Sequence, residues 1–222
     1  MERRPLVTSS FSRGRSLRNL SRYFMNQPWT TDQAWQQLLT GNKNFVSGDL
    51  SHEHQDAAKR KELVAEQTPF AALFGCSDSR LAAEMIFDVG LGDLFVVRNA
   101  GQVIAETILG SLEFAVEVLK VPLIVILGHD QCGAITAGVA AQKGSVKFEG
   151  EFIHNLVNRI TPTIEQGLSV GETTIEEFTR RHIKETVSEL VQRSEIIRDA
   201  VKAGGLGIVG AEYKLGIGEV RL

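Results

Sequence analysis

The sequence predicts an α/β fold, with a mostly parallel central sheet of four strands plus a short edge strand, flanked by helices and preceded by an N-terminal helical arm. Three short apolar runs, 70–75, 94–98 and 121–128, lack the polar–apolar alternation of half-exposed strands, so each fits a strand that is covered on both faces. Segments with helical periodicity separate these runs. Such alternation of strand and helix is typical of a parallel sheet.

The other elements follow from capping residues and apolar spacing. A Thr-Asp-Gln pattern at Thr31 predicts the start of the helical arm, and apolar residues recur at helical spacing within 104–119. Glycines at 204 and 205 end the last helix, after which a fourth strand and a short edge strand are expected at 206–213 and 218–222. Further helices are predicted near 55–66, 82–88, 150–160 and 173–202.

Composition limits the class of protein. A chain of 222 residues with 43% apolar and 23% charged residues fits one globular domain. Two cysteines are too few for a disulfide scaffold, and no apolar run approaches the roughly 20 residues of a membrane span. The net charge of -3 gives no general attraction to nucleic acid. We expect a cytoplasmic protein in a reducing compartment that acts on small molecules, with no nucleic-acid or membrane partner.

The first residues differ in kind from the rest. Residues 1–24 carry six arginines and one acidic residue, a charge of +5, which leaves the remainder at -8. We expect an Arg/Ser-rich, poorly ordered extension over 1–30 and a single domain over 31–222. The extension is similar to an organellar transit peptide, which would place the protein in an organelle. The alternative is a disordered or over-extended start, with Met25 as the initiator.

Both cysteines and one histidine directly follow predicted strands. Cys76 comes after the first strand, and His129 and Cys132 come after the third. Because the carboxyl ends of parallel strands frame the ligand crevice, these loops can converge. A lone buried cysteine is usually a small apolar side chain. Two thiolates with one imidazole instead match the preference of zinc and leave a fourth coordination position open, so one Zn²⁺ is expected.

An acid and a base lie within four residues of the first cysteine. Asp78 and Arg80 would mean little as an exposed ion pair, which contributes about 0 to 1 kcal/mol. Beside a dication, Asp78 could bind the metal or accept a proton from bound water. Arg80 could hold the carboxylate through two hydrogen bonds and so choose between these states.

These residues belong to three motifs: Cys-Ser-Asp-Ser-Arg at 76–80, Phe-Val-Val-Arg-Asn-Ala-Gly at 95–101, and Gly-His-Asp-Gln-Cys-Gly-Ala at 128–134. With them the sequence resembles the β-class carbonic anhydrases over about residues 31–214. The resemblance implies zinc on Cys76, His129 and Cys132, and a catalytic Asp78–Arg80 dyad that orients zinc-bound water. It also implies reversible hydration of carbon dioxide to bicarbonate and a proton by zinc-bound hydroxide.

The resemblance further implies that the enzyme self-associates, as a homodimer or a dimer of dimers. Gln67 matches a glutamine that binds bicarbonate from the partner subunit, and Phe95 matches an apolar cleft residue. Ala100 and Gly133 are also expected at the substrate cleft. Phe114 stands where some members have tyrosine, which affects the expected cleft shape.

A bicarbonate pocket is a separate expectation from the resemblance. Some members close at low pH by moving the aspartate onto zinc, with bicarbonate held by a tryptophan, an arginine and a tyrosine. Arg98 and Tyr213 match the last two, whereas Leu73 occupies the tryptophan position. Bicarbonate inhibition is therefore open at this stage.

Two rival functions remain from the sequence. One is a related hydrolase that acts on carbonyl sulfide or carbon disulfide, and the other is a non-catalytic zinc module in which Asp78 permanently fills the fourth position. The remaining histidines are expected to face solvent or to cap helices, with a proton-shuttle role open for the last of them: His52, His54, His154 and His182.

Overall fold

The computed structural model describes residues 29–222, and the expectations for residues 1–24 and Met25 lie outside them. One sheet has the strand order β2-β1-β3-β4-β5, in which β5 is antiparallel to β4 and the other neighbours are parallel. The predicted fold class is confirmed. The strands are β1 (Ala71–Cys76), β2 (Leu94–Asn99), β3 (Leu123–His129), β4 (Gly207–Tyr213) and β5 (Val220–Arg221).

Helices cover both faces of the sheet. They are α1 (Thr31–Ser47), α2 (Ala57–Glu62), α3 (Ala83–Ile86), α4 (Glu106–Glu117), α5 (Gly133–Gln142), α6 (Glu151–Ser169), α7 (Ile175–Arg193) and α8 (Glu195–Lys202). The helical arm α1 begins as predicted, because Thr30 and Gln33 form a reciprocal capping box. The hydroxyl of Thr31 then donates to the carbonyl of Pro122, which ties the arm to the start of β3.

Strands β1 and β3 lie at the centre and are buried along their whole length. Leu73 and Val125 point to one face, into a core built with α1, α5 and α6. Phe74 and Ile126 point to the other face, into a core built with α4, α7 and α8. This burial on both faces explains the unbroken apolar runs in the sequence.

Two predictions about the helices were wrong, and one helix was missed. The helix predicted near 150–160 continues through Pro162 to Ser169, because Ile160 and Ile164 on either side of the proline are fully buried. The helix predicted over 173–202 is two helices, because Ser194 is extended and its hydroxyl caps α8 by accepting from the N–H of Ile197. Helix α5 was not predicted.

Within residues 29–222, no helix has the length and apolar character needed to cross a membrane.

Candidate metal centre

The two cysteines meet at the carboxyl edge of the sheet. Cys76 is the last residue of β1, and Cys132 is the N-cap of α5, in the loop that follows β3. Both are buried and unoxidised, with their Sγ atoms 4.0 Å apart. That distance excludes a disulfide, whose sulfur atoms lie about 2.05 Å apart. It is close to the roughly 3.8 Å expected for two thiolates on one tetrahedral ion.

His129 completes the group from the end of β3. Its Nδ1–H donates to the carbonyl of Asp130 at 2.8 Å, which leaves Nε2 without a proton. Nε2 is buried and has no hydrogen-bond partner. It lies with the two sulfur atoms in a cluster whose members are within 4.8 Å of one another. An unpartnered, buried imidazole nitrogen that faces two thiols fits a soft divalent metal.

The pKa values of the two thiols are shifted in opposite directions. The hydrogen bond from Cys132 lowers the pKa of Cys76 to about 4, against the effect of burial and with help from the backbone N–H of Gly101. The same hydrogen bond and burial raise the pKa of Cys132. The Cys76 sulfur is thus predisposed to the thiolate form that a metal requires.

Asp78 and Arg80 form the predicted pair beside this group. The guanidinium donates to both carboxylate oxygens, from Nε to Oδ1 at 2.8 Å and from Nη2 to Oδ2 at 2.7 Å. This bidentate contact holds the pKa of Asp78 far below its usual range. Oδ2 lies 3.9 Å from Nε2 of His129. The carboxylate of Asp78 is therefore ionised at neutral pH, and it lies next to the group formed by Cys76, His129 and Cys132.

A short 3₁₀ turn, Ala100–Gln102, supports Cys76 from the end of β2. The N–H of Gly101 donates to the Cys76 sulfur at 3.4 Å. The Asn99 side chain closes this turn, since it accepts from the N–H of Val103 and donates to its carbonyl. The Gly101 carbonyl accepts a hydrogen bond from Nε2 of His182 at 2.8 Å. The contacts of Gly101 with Cys76 and His182 join segments 25 and 81 residues apart, so no local pattern indicates them.

The structure places the other expected site residues at two edges of the sheet. Ala100 and Gly133 are exposed and lie at the carboxyl edge, next to the cysteine loops. Gln67 is exposed before the first residue of β1, and Phe95 is the second residue of β2, where its ring contacts Phe114. Because β1 spans roughly 20 Å, Gln67 is far from the Cys76 of its own chain.

The three residues of the expected bicarbonate pocket share one face of the sheet but not one strand. Arg98 on β2 and Tyr213 on β4 are separated by β1 and β3, about 14 Å across the sheet. The Arg98 guanidinium donates to the carbonyls of Cys76 and Asp78, at 2.9 and 2.7 Å. Tyr213 and Leu73 are buried in the core.

Comparison with known proteins identifies the family. The family described as "Carbonic anhydrase" matches residues 71–220. Carbonic anhydrase 2 of Mycobacterium tuberculosis is 47% identical over 189 residues, which cover 85% of this chain and 91% of that protein. Carbonic anhydrase of Mycolicibacterium smegmatis is 48% identical over 190 residues, with the same coverage. A solved β-carbonic anhydrase of Aspergillus fumigatus has 28% identity and a TM-score of 0.65, covering 84% of this chain and 89% of that one.

The chain belongs to the β-carbonic anhydrase family.

Membership makes the chain an enzyme, a carbonic anhydrase, and confirms the resemblance found in the motifs. Tetrameric β-carbonic anhydrases of Sordaria macrospora share the fold, with a TM-score of 0.67 at 22% identity over 84% of this chain and 95% of that one.

One prediction about the histidines was wrong: His182 is buried rather than exposed or capping. The charged residues Arg180, Arg181 and Lys184 lie close to it in the sequence, which concealed its burial.

Proposed function

We propose that this carbonic anhydrase is a zinc enzyme that hydrates carbon dioxide reversibly, with Cys76, His129 and Cys132 as ligands of one zinc ion per chain and Asp78 and Arg80 as a catalytic dyad. The observation that carries the proposal is the unpartnered Nε2 of His129, which is buried within 4.8 Å of two thiol sulfurs. Zn²⁺ bound there would lower the pKa of a water molecule to about 7 and so supply hydroxide at neutral pH.

The dyad acts through a carboxylate that stays ionised. Arg80 holds Asp78 with two hydrogen bonds to the carboxylate and a third, at 3.0 Å, from its own backbone N–H. Two of these bonds fall on Oδ1 and one on Oδ2, which leaves a lone pair on Oδ2 for the reactant water. Oδ2 of Asp78 is the atom placed to accept the hydrogen of that water. It thereby directs the water's free lone pair toward carbon dioxide.

Asp78 also decides between an open and a closed site. To become a ligand itself, the carboxylate would have to leave Arg80 and move toward the cysteines, since its Oδ2 lies 3.9 Å from Nε2 of His129. The two charged hydrogen bonds to Arg80 oppose that movement. The arrangement favours an open site and disfavours the non-catalytic alternative.

We propose that the substrate cleft is completed by a second chain, in a homodimer or a dimer of dimers. Ala100 and Gly133 are exposed beside the cysteine loops of the same chain, whereas Gln67 and Phe95 lie toward the opposite edge of the sheet. The latter pair can serve a site only if a partner subunit brings them there. A Cβ atom on Gly133 would meet nothing within 4 Å, so the space beside this residue is open in the single chain.

A second proposed role of Arg98 and Tyr213 is to bind bicarbonate as an inhibitor. In the conformation described, the Arg98 guanidinium is occupied by the carbonyls of Cys76 and Asp78. Binding would require that these bonds break or that bicarbonate use the remaining N–H groups. Activity measured across pH with added bicarbonate tests it, and inhibition relieved only above about pH 8 would support the pocket.

The test of the proposed function combines metal analysis with kinetics. We expect one zinc per chain in the purified protein and rapid carbon dioxide hydration by stopped flow at about pH 8.5, above the pKa of about 7 of a zinc-bound water. Carbonyl sulfide and carbon disulfide assayed on the same sample separate the rival hydrolase. A zinc-loaded protein with no hydration rate would contradict the proposal.

A further inference from the structure

A buried histidine outside the candidate metal centre connects α7 to that centre. His182 is 7% exposed and contacts the 3₁₀ turn that follows β2 rather than solvent. Its Nε2 lies 2.8 Å from the carbonyl oxygen of Gly101. Because a carbonyl only accepts, Nε2 carries the proton and donates it. The tautomer of His182 is thus fixed by the backbone of the metal-centre loop.

The opposite side of the His182 ring faces a polar group. Nδ1 lies 3.5 Å from the hydroxyl of Thr163, which also contacts the carboxylate of Glu185. Arg181 approaches the same carboxylate at 3.7 Å. Burial lowers the pKa of His182 and so favours the neutral ring, whose single proton is on Nε2. The imidazole is therefore oriented by its Nε2–H bond to Gly101 and by the buried surroundings of the ring.

Gly101 is the residue on which this contact acts. It has a left-handed backbone, with φ 72° and ψ 13°, and a Cβ would lie 2.7 Å from the Cβ of Ala134. Only glycine fits, but glycine is also the residue whose peptide planes rotate most freely. A hydrogen bond to its carbonyl removes that freedom. The N–H on the other side of the same residue is the one that donates to the Cys76 sulfur, at 3.4 Å.

We propose that His182 is a positioning residue for the metal centre: by holding the Gly101 carbonyl, it directs the Gly101 N–H onto the Cys76 sulfur. This rests on the proposed zinc site. The N–H bond withdraws charge from the sulfur, so it tunes how strongly Cys76 donates to a metal. Asn99 closes the ends of the turn, whereas His182 fixes its middle, so the two side chains have separate tasks.

The matched pair His182→Gln and His182→Met tests the donor itself. The two side chains have similar length and volume, but only glutamine keeps an N–H where Nε2 of histidine lies. We expect His182→Met to weaken zinc binding about 10- to 100-fold in competition with a chelator, and His182→Gln to restore most of the affinity. In the cobalt-substituted proteins, loss of the N–H contact should move the sulfur-to-cobalt charge-transfer band to longer wavelength in the methionine variant alone.

The control is Thr179→Val. It removes a buried hydroxyl that lies about one turn before His182 on α7 and donates to the carbonyl of Ile175. It should lower the melting temperature and leave zinc affinity and the cobalt spectrum unchanged. If His182→Met does not fold, His182→Asn replaces it, because its amide is too short to reach Gly101.

Equal zinc affinity and unchanged cobalt spectra in all these variants would overturn the proposal while leaving the zinc site intact. Equal loss in the glutamine and methionine variants would overturn it too, since the donor would then not matter. A wild-type protein that binds no zinc or cobalt would overturn both this proposal and the proposed function.

Discussion

Strands β1 and β3 differ from strand β2 in a way that separates two tasks. The central pair is buried along its whole length and leads directly into Cys76, His129 and Cys132. Strand β2, at the edge, is half-exposed over most of its length. It carries Arg98, whose guanidinium binds backbone carbonyls of the Cys76 loop, and it leads into the Gly101 turn, whose N–H binds the Cys76 sulfur. The proposed zinc ligands thus come from the buried strands and the loop that follows β3, whereas Arg98 and Gly101 support them from the edge strand.

The largest expected effect comes from removing a proposed ligand side chain at the end of β1. Cys76→Ala should abolish zinc binding and reduce hydration to the uncatalysed rate, because two ligands cannot hold the ion against solvent. The melting temperature should fall as well, since binding energy is lost from the folded state. Metal analysis, stopped flow and calorimetry check this against Ser77→Ala in the same loop. A Cys76→Ala protein with one zinc per chain would contradict the assignment.

Removing the charge beside the centre should separate chemistry from metal binding. We expect Asp78→Asn to lower the hydration rate by about 10²- to 10⁴-fold while zinc content stays at one per chain, because the amide no longer offers a carboxylate to the reactant water. Asp49→Asn, on the exposed surface, controls for the change in net charge. Should the Asp78→Asn protein keep its full rate, the dyad would have no catalytic role.

Two valines at the same register position compare the buried strand β3 with the half-exposed strand β2. Val125 on β3 and Val96 on β2 flank Leu73 of β1 on opposite sides, but only Val125 is fully buried. Val125→Ala should lower the free energy of unfolding by about 2 to 3 kcal/mol, and Val96→Ala by about 1 kcal/mol or less. Chemical denaturation of both variants checks this. Equal losses would mean that β2 is buried in solution by a partner.

The smallest expected effect concerns the amino edge of the sheet. Gln67→Ala should lower activity roughly 10-fold with zinc content and melting temperature unchanged, because one hydrogen bond to substrate is lost. Glu66→Ala, at the neighbouring exposed position, is the control.

Mixing the chains of two variants tests where Gln67 acts. If Gln67 acts across a dimer, equal amounts of Gln67→Ala and Asp78→Asn chains exchange to form mixed dimers with one intact site, and about a quarter of wild-type activity returns. No recovery above the mean of the two parents would place Gln67 in its own chain's site or outside catalysis.

The sequence predicts correctly those elements that have a local pattern of apolar residues. The buried runs of β1 and β3 gave the strands, and strand ends brought Cys76, His129 and Cys132 together. Helix α5 has small residues without a polar–apolar stripe, so its segment shows no helical periodicity. Ser194 breaks a helix by a side-chain cap, and His182 is buried by a contact with Gly101, 81 residues away. Neither event leaves a periodic signal.

Cys76 and His129 are separated by 52 residues and meet only when β1 and β3 have paired. Cys132 then lies at the start of α5, so a partly folded chain offers no more than isolated thiols and imidazoles. The pairing of two distant strands closes a long loop and is among the slower steps available to a chain of this size. Metal occupancy in a cell would therefore record that the sheet has assembled, and newly made chains would acquire their metal last.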